Sequence, residues 1–284
     1  MAKRKTGKPA GKPAAVPPRG GRAPKGGRAP KGGQAIWLWG GHAVLAALAN
    51  PDRRCERLVL AREQQDAWHE RVQPLAARRA DLADGIAVMG RTELERVIGK
   101  AAVHQGIALL ATPAPQPELD DLLAGLSADS PACVVLLDQV SDPQNVGAIL
   151  RSAAAFGASA LVTTARNAPH ETGALAKAAS GGLEAVPFIH VTNLARSLDS
   201  LIDAGFRCLG LSGEGDAMLA TETDASRTAL VLGAEGTGLR RLTAERCDRL
   251  VRLPTVSTLT DLNVANAAAV ALYEAIGRPR ASAS

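Results

Sequence analysis

"CVVLLDQVSDPQNVGAILRSAAAFG", residues 133 to 157, contains a whole strand, turn and helix, and one charge out of keeping with them. The unbroken apolar run up to Leu137 predicts a strand buried on both faces. Asp142-Pro143 and Asn145 predict a turn and a helix N-cap. From Val146 to Phe156 the pattern is that of an apolar helix interrupted by Arg151. Three and four positions from it lie only Gly147, Ala148, Ala154 and Ala155, so no carboxylate of its own helix can pair with it. Two readings stand open. Arg151 snorkels to solvent or meets a distant carboxylate, or it is held ready for a phosphate or a reacting oxygen, which a guanidinium grips bidentately.

The same grammar continues to the C-terminus. "ALVTT", "PFIHV", "FRCLGL", "ALVLG" and "RLVRLP" read as strands with helical segments between most of them. Apolar runs alternating with helices predict an α/β fold with a parallel sheet covered on both faces, occupying residues 131–284. Upstream, residues 34–112 predict a smaller α/β unit. In it, "GHAVLAALAN" is a helix stopped at Asn50-Pro51, "RLVLA", "GIAVM" and "GIALLA" are strands, and Glu63 to Arg79 is an exposed helix. Between the units, 113–130 has linker composition, with a helical turn around Leu119 to Leu126.

Composition divides the chain again. Of 284 residues, 46% are hydrophobic, enough for a sizeable core, and only 2% are aromatic. The formal charge is +5, yet residues 1–33 hold ten Lys or Arg and no acid, which leaves the rest with an excess of five negative charges. That tail, with its repeated GGRAPK, is too rich in Pro and Gly for a helix or a core and is expected to be disordered. It lacks the apolar segment of a secretory signal. It is either a solubilising extension or a polycation that neutralises phosphates. No uncharged apolar run reaches membrane-spanning length, so no membrane partner is expected. Cys55, Cys133, Cys208 and Cys247 have no paired spacing, which argues for a reducing, cytoplasmic setting and no metal.

In a parallel sheet, ligands bind in loops at the carboxyl ends of strands. Besides the loop before Arg151, two others carry unusual residues. "ALVLGAEGTGLRRL" (229–242) places Gly233, Gly236 and Gly238 around Glu235. It matches neither the dinucleotide fingerprint nor a P-loop, and a plain strand-to-helix turn explains it as well as a ligand cradle does. "LPTVSTLTDLNVANAAAVALYEA" (253–275) leads into an Ala-rich helix beginning near Leu262. Asn263 and Asn266 at its start are either caps or site residues, Asn266 the more structural of the two.

Taken in order, "LDQVSDPQNVGAILRSAAAFG", "LVLGAEGTGL" and "LPTVSTLTDLNVANAAAVALYEA" resemble the three motifs of the SpoU (TrmH-like) family, with "KAASGGLEAVPF" (177–188) between them. These are SPOUT-class RNA ribose 2′-O-methyltransferases that use S-adenosylmethionine. "WLWGGHAVLAAL" and "HQGIALLA" resemble the L30e-like RNA-binding domain that precedes the 23S rRNA guanosine enzymes. His104 in "HQG" is a contact to RNA or a structural turn residue. The resemblance implies a C-terminal domain with a deep trefoil knot, an L30e-like substrate-binding domain, a homodimer, and 23S rRNA as partner. It implies that Gly233, Leu253 and Leu262 hold the cofactor. It also implies that Arg151 grips the target phosphate or 2′-oxygen, that Asn145 and Asn263 orient the nucleotide and Arg151, and that Glu235 positions a loop or the guanidinium. Asp261 and Ala265 replace serines usual in the family, Thr255 a methionine and Ser257 a glycine. A carboxylate at 261 is either a base or a source of repulsion toward RNA.

Competing readings are a tRNA 2′-O-methyltransferase, a catalytically inactive RNA-binding ribosome-assembly factor, and a nucleotide-dependent oxidoreductase. The missing dinucleotide fingerprint argues against the last. With so few rings, RNA recognition is expected to rest on shape, phosphates and the tail rather than on stacking. Deleting residues 1–33 should weaken RNA affinity and flatten its salt dependence, by roughly 0.9 in the log–log slope for each phosphate no longer neutralised. The cofactor dissociation constant should not change. An unaltered salt slope removes the tail from RNA binding.

Overall fold

A computed structural model of the chain describes residues 34–82, 85–127, 130–166, 168–256 and 262–278. The basic tail, Ser257 and Asp261 lie outside the described residues. The first unit runs β1 (Ile36–Trp39), α1 (Gly41–Ala49), β2 (Cys55–Ala61), α2 (Gln65–Ala76), β3 (Ile86–Met89), α3 (Arg91–Ile98) and β4 (Ile107–Ala111). Its sheet has the order β1-β4-β2-β3, with β4 antiparallel to both neighbours and β2 parallel to β3. Strand β1 escapes sequence reading because only Leu38 of its four residues is fully buried, so no alternation shows. The exposed helix is shorter than predicted. A 3-10 turn, Arg62–Gln64, precedes it, and Arg79 turns away to hold Asp81 and the carbonyl of Asn50.

After α4 (Leu119–Gly125), the second unit runs β5 (Ala132–Asp138), α5 (Pro143–Phe156), β6 (Ala160–Thr164), α6 (Gly173–Ala179), α7 (Gly182–Ala185), β7 (Phe188–Val191) and α8 (Leu194–Asp203). It continues with β8 (Arg207–Leu211), β9 (Ala217–Met218), β10 (Arg227–Gly233), α9 (Arg241–Ala244), β11 (Arg249–Arg252) and α10 (Val264–Leu272), which runs on as a π-helical turn, Tyr273–Gly277. The seven strands order as β7-β6-β5-β10-β8-β11-β9, and every pair is parallel. All seven residues of β5 are buried. Cys133, Val135 and Leu137 pack in one apolar cluster, with α5, α6 and α10, while Ala132, Val134 and Leu136 pack in another, with α4 and α8. The period of two thus serves two apolar faces, and this is why the run shows no polar alternation. Among the described residues no helix is long and apolar enough to cross a membrane.

Helix α5 corrects one expectation. Its N-cap is Asp142, whose Oδ1 accepts from Gln144 N at 3.0 Å, and not Asn145. Proline at the first helical position favours that start and leaves Asn145 inside the first turn, its side-chain amide not used for capping. The helix ends at Gly157 in the left-handed region, φ 80°. Its face is shaped by Gly147, where a Cβ would lie 2.4 Å from Ala178 Cβ and 2.7 Å from Leu175 O. Backbone therefore meets backbone between α5 and α6.

The two sheets are not separate bodies of apolar packing. Leu38, Leu48 and Leu60 of the first unit share a cluster with Val146, Leu175 and Leu183 of the second. Among its described residues the segment of linker composition is held at two points: Ala114 N donates to Glu171 Oε2 at 3.0 Å, and Leu119 packs with Leu194 and Leu198. Replacing Gly147 by Val should overpack the α5–α6 contact, cost about 3 kcal/mol and lower the thermal midpoint by roughly 5 °C or more. An unchanged midpoint in calorimetry would mean that the helices separate freely.

Candidate functional site

Strands β8, β10 and β11 end side by side, and the loops leaving them enclose a cavity of about 730 Å³. Gly233, Leu253 and Leu262, the three residues expected to hold a ligand, all line it, as do Glu235, Asn263 and Thr255. The glycines of the second loop have definite tasks. A Cβ on Gly233 would lie 2.1 Å from the carbonyl carbon of Gly238, because the loop folds back over the strand end. Gly238 N donates to Ala234 O at 2.9 Å, with Gly236 and Gly238 at φ 76° and 64°. This is a tight turn required by packing, and it is also the wall of a cavity. The two sequence readings are compatible.

One carboxylate oxygen joins the start of α5 to the loops after β10 and β11. Glu235 Oε1 accepts from Asn263 Nδ2 at 2.7 Å, from Asn145 Nδ2 at 3.2 Å and from Val264 N at 3.3 Å. Asn263 Nδ2 also donates to Asn145 Oδ1 at 3.0 Å. At its other end, Asn263 caps α10, its Oδ1 accepting from Ala265 N at 2.9 Å and from Asn266 N at 3.4 Å. Asn263 therefore caps α10 and also joins this cluster at the cavity wall, while Asn266 enters through its backbone N. Glu235 positions a loop and does not touch the guanidinium of Arg151.

Arg151 stands apart from this cluster. It is exposed, forms no ion pair among the described residues, and is not among the residues that line the cavity. Six residues of helix place it about 120° around α5 from Asn145. Among the described residues Asn145 shares no hydrogen bond with Arg151; its side chain bonds to Glu235 and Asn263.

Two features went unread in the sequence. Ser212, Gly213 and Glu214, in the loop after β8, line the cavity too. Their signal was present, since "SGEG" follows an apolar run just as the second loop does. The other is Asp138, fully buried at the end of β5, which accepts from Arg240 N at 3.0 Å and from Arg240 Nε at 2.6 Å. It anchors the far end of the glycine turn. His104 proves structural: it is buried, and its Nδ1 accepts from Gly106 N at 3.0 Å. Burial pushes the thiols of Cys133, Cys208 and Cys247 up to about 12 and that of Cys55 to about 11, so none is a ready nucleophile at neutral pH. Among the described residues, no group of three His, Cys, Asp or Glu is placed to hold a metal ion.

Known proteins resemble both halves. Residues 132–273 match the model of the SpoU rRNA Methylase family, and residues 37–117 match that for RNA 2′-O ribose methyltransferase substrate binding. The 23S rRNA (guanosine-2′-O-)-methyltransferase RlmB of Photobacterium profundum is 37% identical over 239 residues, covering 84% of this chain and 96% of that protein. RlmB of Escherichia coli K12 is 36% identical over 242 residues, covering 84% and 97%. In fold, the chain resembles the SpoU methyltransferase AviRb of Streptomyces viridochromogenes, solved in complex with AdoMet. The TM-score is 0.71 at 22% identity, over 85% of this chain and 89% of that one.

Replacing Glu235 by Ala should leave global stability within about 1 kcal/mol, since its two side-chain hydrogen bonds are exposed and the partly buried one from Val264 N is long at 3.3 Å. Amide exchange at Val264 should quicken by about tenfold, and Glu235→Gln, which keeps an acceptor oxygen, should retain most of the protection. Equal protection in all three proteins would show that the loops meet without the carboxylate.

Proposed function

The chain belongs to the SpoU rRNA methylase family, and on that premise we propose that it transfers a methyl group from S-adenosylmethionine to a ribose 2′-hydroxyl of RNA, at a guanosine of 23S rRNA. The observation that carries the reading is one cavity at the carboxyl ends of a parallel sheet, lined by the loops after β8, β10 and β11, with Asn145 at the start of α5 tied to the last two through Glu235 and Asn263.

The cavity fits the cofactor. Its volume lies within the roughly 300–1,000 Å³ usual for small-molecule sites. Leu253 and Leu262 offer apolar walls to a flat base, and the glycine turn offers backbone groups to polar edges. Glu214 and Glu235 bring negative charge to a cofactor that carries a positive sulfur. When bound, S-adenosylmethionine supplies the methyl group on that sulfonium. The chain's own residues do the rest. Asn145 and Asn263, locked by Glu235, orient the nucleotide. Arg151 holds the target phosphate or the 2′-oxygen, and its guanidinium stabilises the negative charge that develops on that oxygen while the hydroxyl proton passes to water. Its lack of any side-chain partner among the described residues supports that role.

The finer architecture belongs to the same proposal. The tail, the substrate-binding unit of 34–112, the joining segment 113–130 and the catalytic unit of 131–284 are its parts. The last segment threads a trefoil knot, a reading supported by α10 packing on α5 while the loop before it lines the cavity. Two copies associate, a reading supported by the exposed apolar residues Leu262 just before α10, Val270 within it and Tyr273 in its extension. That pairing gives Arg151, which does not line its own cavity, a place at an active site.

Labelled-methyl transfer onto total RNA from a strain lacking this protein should place the label on one guanosine ribose of 23S rRNA. Label found only in tRNA overturns the substrate. Arg151→Ala should bind S-adenosylmethionine with unchanged affinity and lose transfer by about a hundredfold or more. Near-normal transfer removes Arg151 from the mechanism.

A further inference from the structure

The largest fully buried side chain among the described residues is charged. Arg53 lies between α1 and β2, in the first unit, yet its carboxylate partners belong to the second. Nη1 is 2.6 Å from Glu171 Oε1, Nη2 is 2.7 Å from Glu184 Oε1, and Nε donates to Glu184 Oε2 at 3.1 Å. Nη1 also donates to Thr112 O at 2.9 Å, where β4 ends. Asn50 Nδ2 donates to Glu184 Oε2 at 2.6 Å. The partly buried joining segment is held by the same group, through Ala114 N and Glu171 Oε2. Burial pushes the Glu171 carboxyl above its ordinary range even though Arg53 opposes it.

Such a cluster is a poor way to gain stability. Stripping water from three charges is costly, and apolar side chains of equal volume hold a fold at least as well. What a buried ion cluster does supply is direction. A planar guanidinium satisfies two carboxylates only in one arrangement, so it specifies how its two parent units sit.

The far side of the cluster leads to the active site. Glu184 is on α7, and a Cβ on Gly182 at the start of α7 would lie 2.7 Å from Leu150 O and 3.1 Å from Arg151 N. On the other flank, a Cβ on Gly181 would lie 3.2 Å from Ala46 Cβ of α1. Helix α7 is thus wedged, with no side chain between, against the backbone of α5 at Arg151, and it borders the first unit. We propose that Arg53 is a positioning residue that fixes the 34–112 unit, through Glu171 and Glu184, in one register against the helix that carries Arg151, so that RNA held by that unit meets the cavity correctly. This rests on the reading given under Proposed function.

The test is steady-state methyl transfer by the full chain onto 23S rRNA from a strain lacking the protein, with Arg53→Met and Glu184→Gln beside the wild type. Arg53→Met should raise the KM for RNA by about tenfold, and Glu184→Gln by a smaller factor in the same direction. The dissociation constant for S-adenosylmethionine, whose cavity shares no residue with the cluster, should not change. A purely structural role would reduce the active fraction, lowering kcat and the stoichiometry of cofactor binding while leaving the RNA KM unchanged. That pattern, or an RNA KM within twofold of wild type in both variants, overturns the proposal. Should Arg53→Met fail to fold, Glu184→Gln decides alone, because it keeps the shape of the side chain and an acceptor for Asn50. If the wild type itself transfers no methyl group, the proposed function fails and not the positioning role.

Discussion

Parallel pairing of Ala132–Asp138 with Arg227–Gly233 is the constraint from which the site follows. Its register sets Gly233 directly beside Asp138, so two chain segments nearly a hundred residues apart leave the sheet at one point. Burial on both faces makes that register hard to shift, since a slip of one residue would exchange the two apolar faces. Two of the polar anchors of the site are built on this pair of strand ends. Asp138 takes hold of Arg240 at one end of the glycine turn, and Glu235 takes hold of Asn145 and Asn263 at the other. The two exposed hydrogen bonds from the asparagines to Glu235 are individually weak, about 1 kcal/mol each. They refine an arrangement that the strands have already imposed.

Close backbone approach is the second physical theme. Gly147, Gly182 and Gly233 each occupy a place where a Cβ would strike main-chain atoms closer than 3.0 Å. At these points helices and turns are stacked with no side chain to cushion them, and small displacements pass directly from one element to the next. Helix α5 receives two such approaches, from α6 at Gly147 and from α7 at Gly182. It is therefore the element through which the first unit, the intervening helices and Arg151 are mechanically joined.

Much of this was legible in the residues. The parallel sheet was readable because β5, β6 and β10 are apolar without alternation, as only doubly covered strands are. Glycine-rich and irregular segments after strands marked the loops that line the cavity, while the choice of Gly233, Leu253 and Leu262 within them came from the resemblance to the SpoU motifs. Asn145 was misread as a cap because Asp142 and Asn145 carry the same short polar chemistry, and only the proline at 143 decides between them. β1 was missed because four residues with one fully buried side chain leave no periodic trace.

By itself the sequence determined local states: which segments are strands or helices, where they break, and which loops bear reactive groups. These follow from periodicity, proline and glycine, all properties of neighbouring residues. Only the tertiary structure decided that Glu235 meets two asparagines, that Asp138 anchors Arg240, and that Arg53 turns its charge on Glu171 and Glu184. Each of these pairings spans from 28 to more than a hundred residues. A side chain's partner at that range depends on how sheets close and which backbones touch, and no local pattern encodes it.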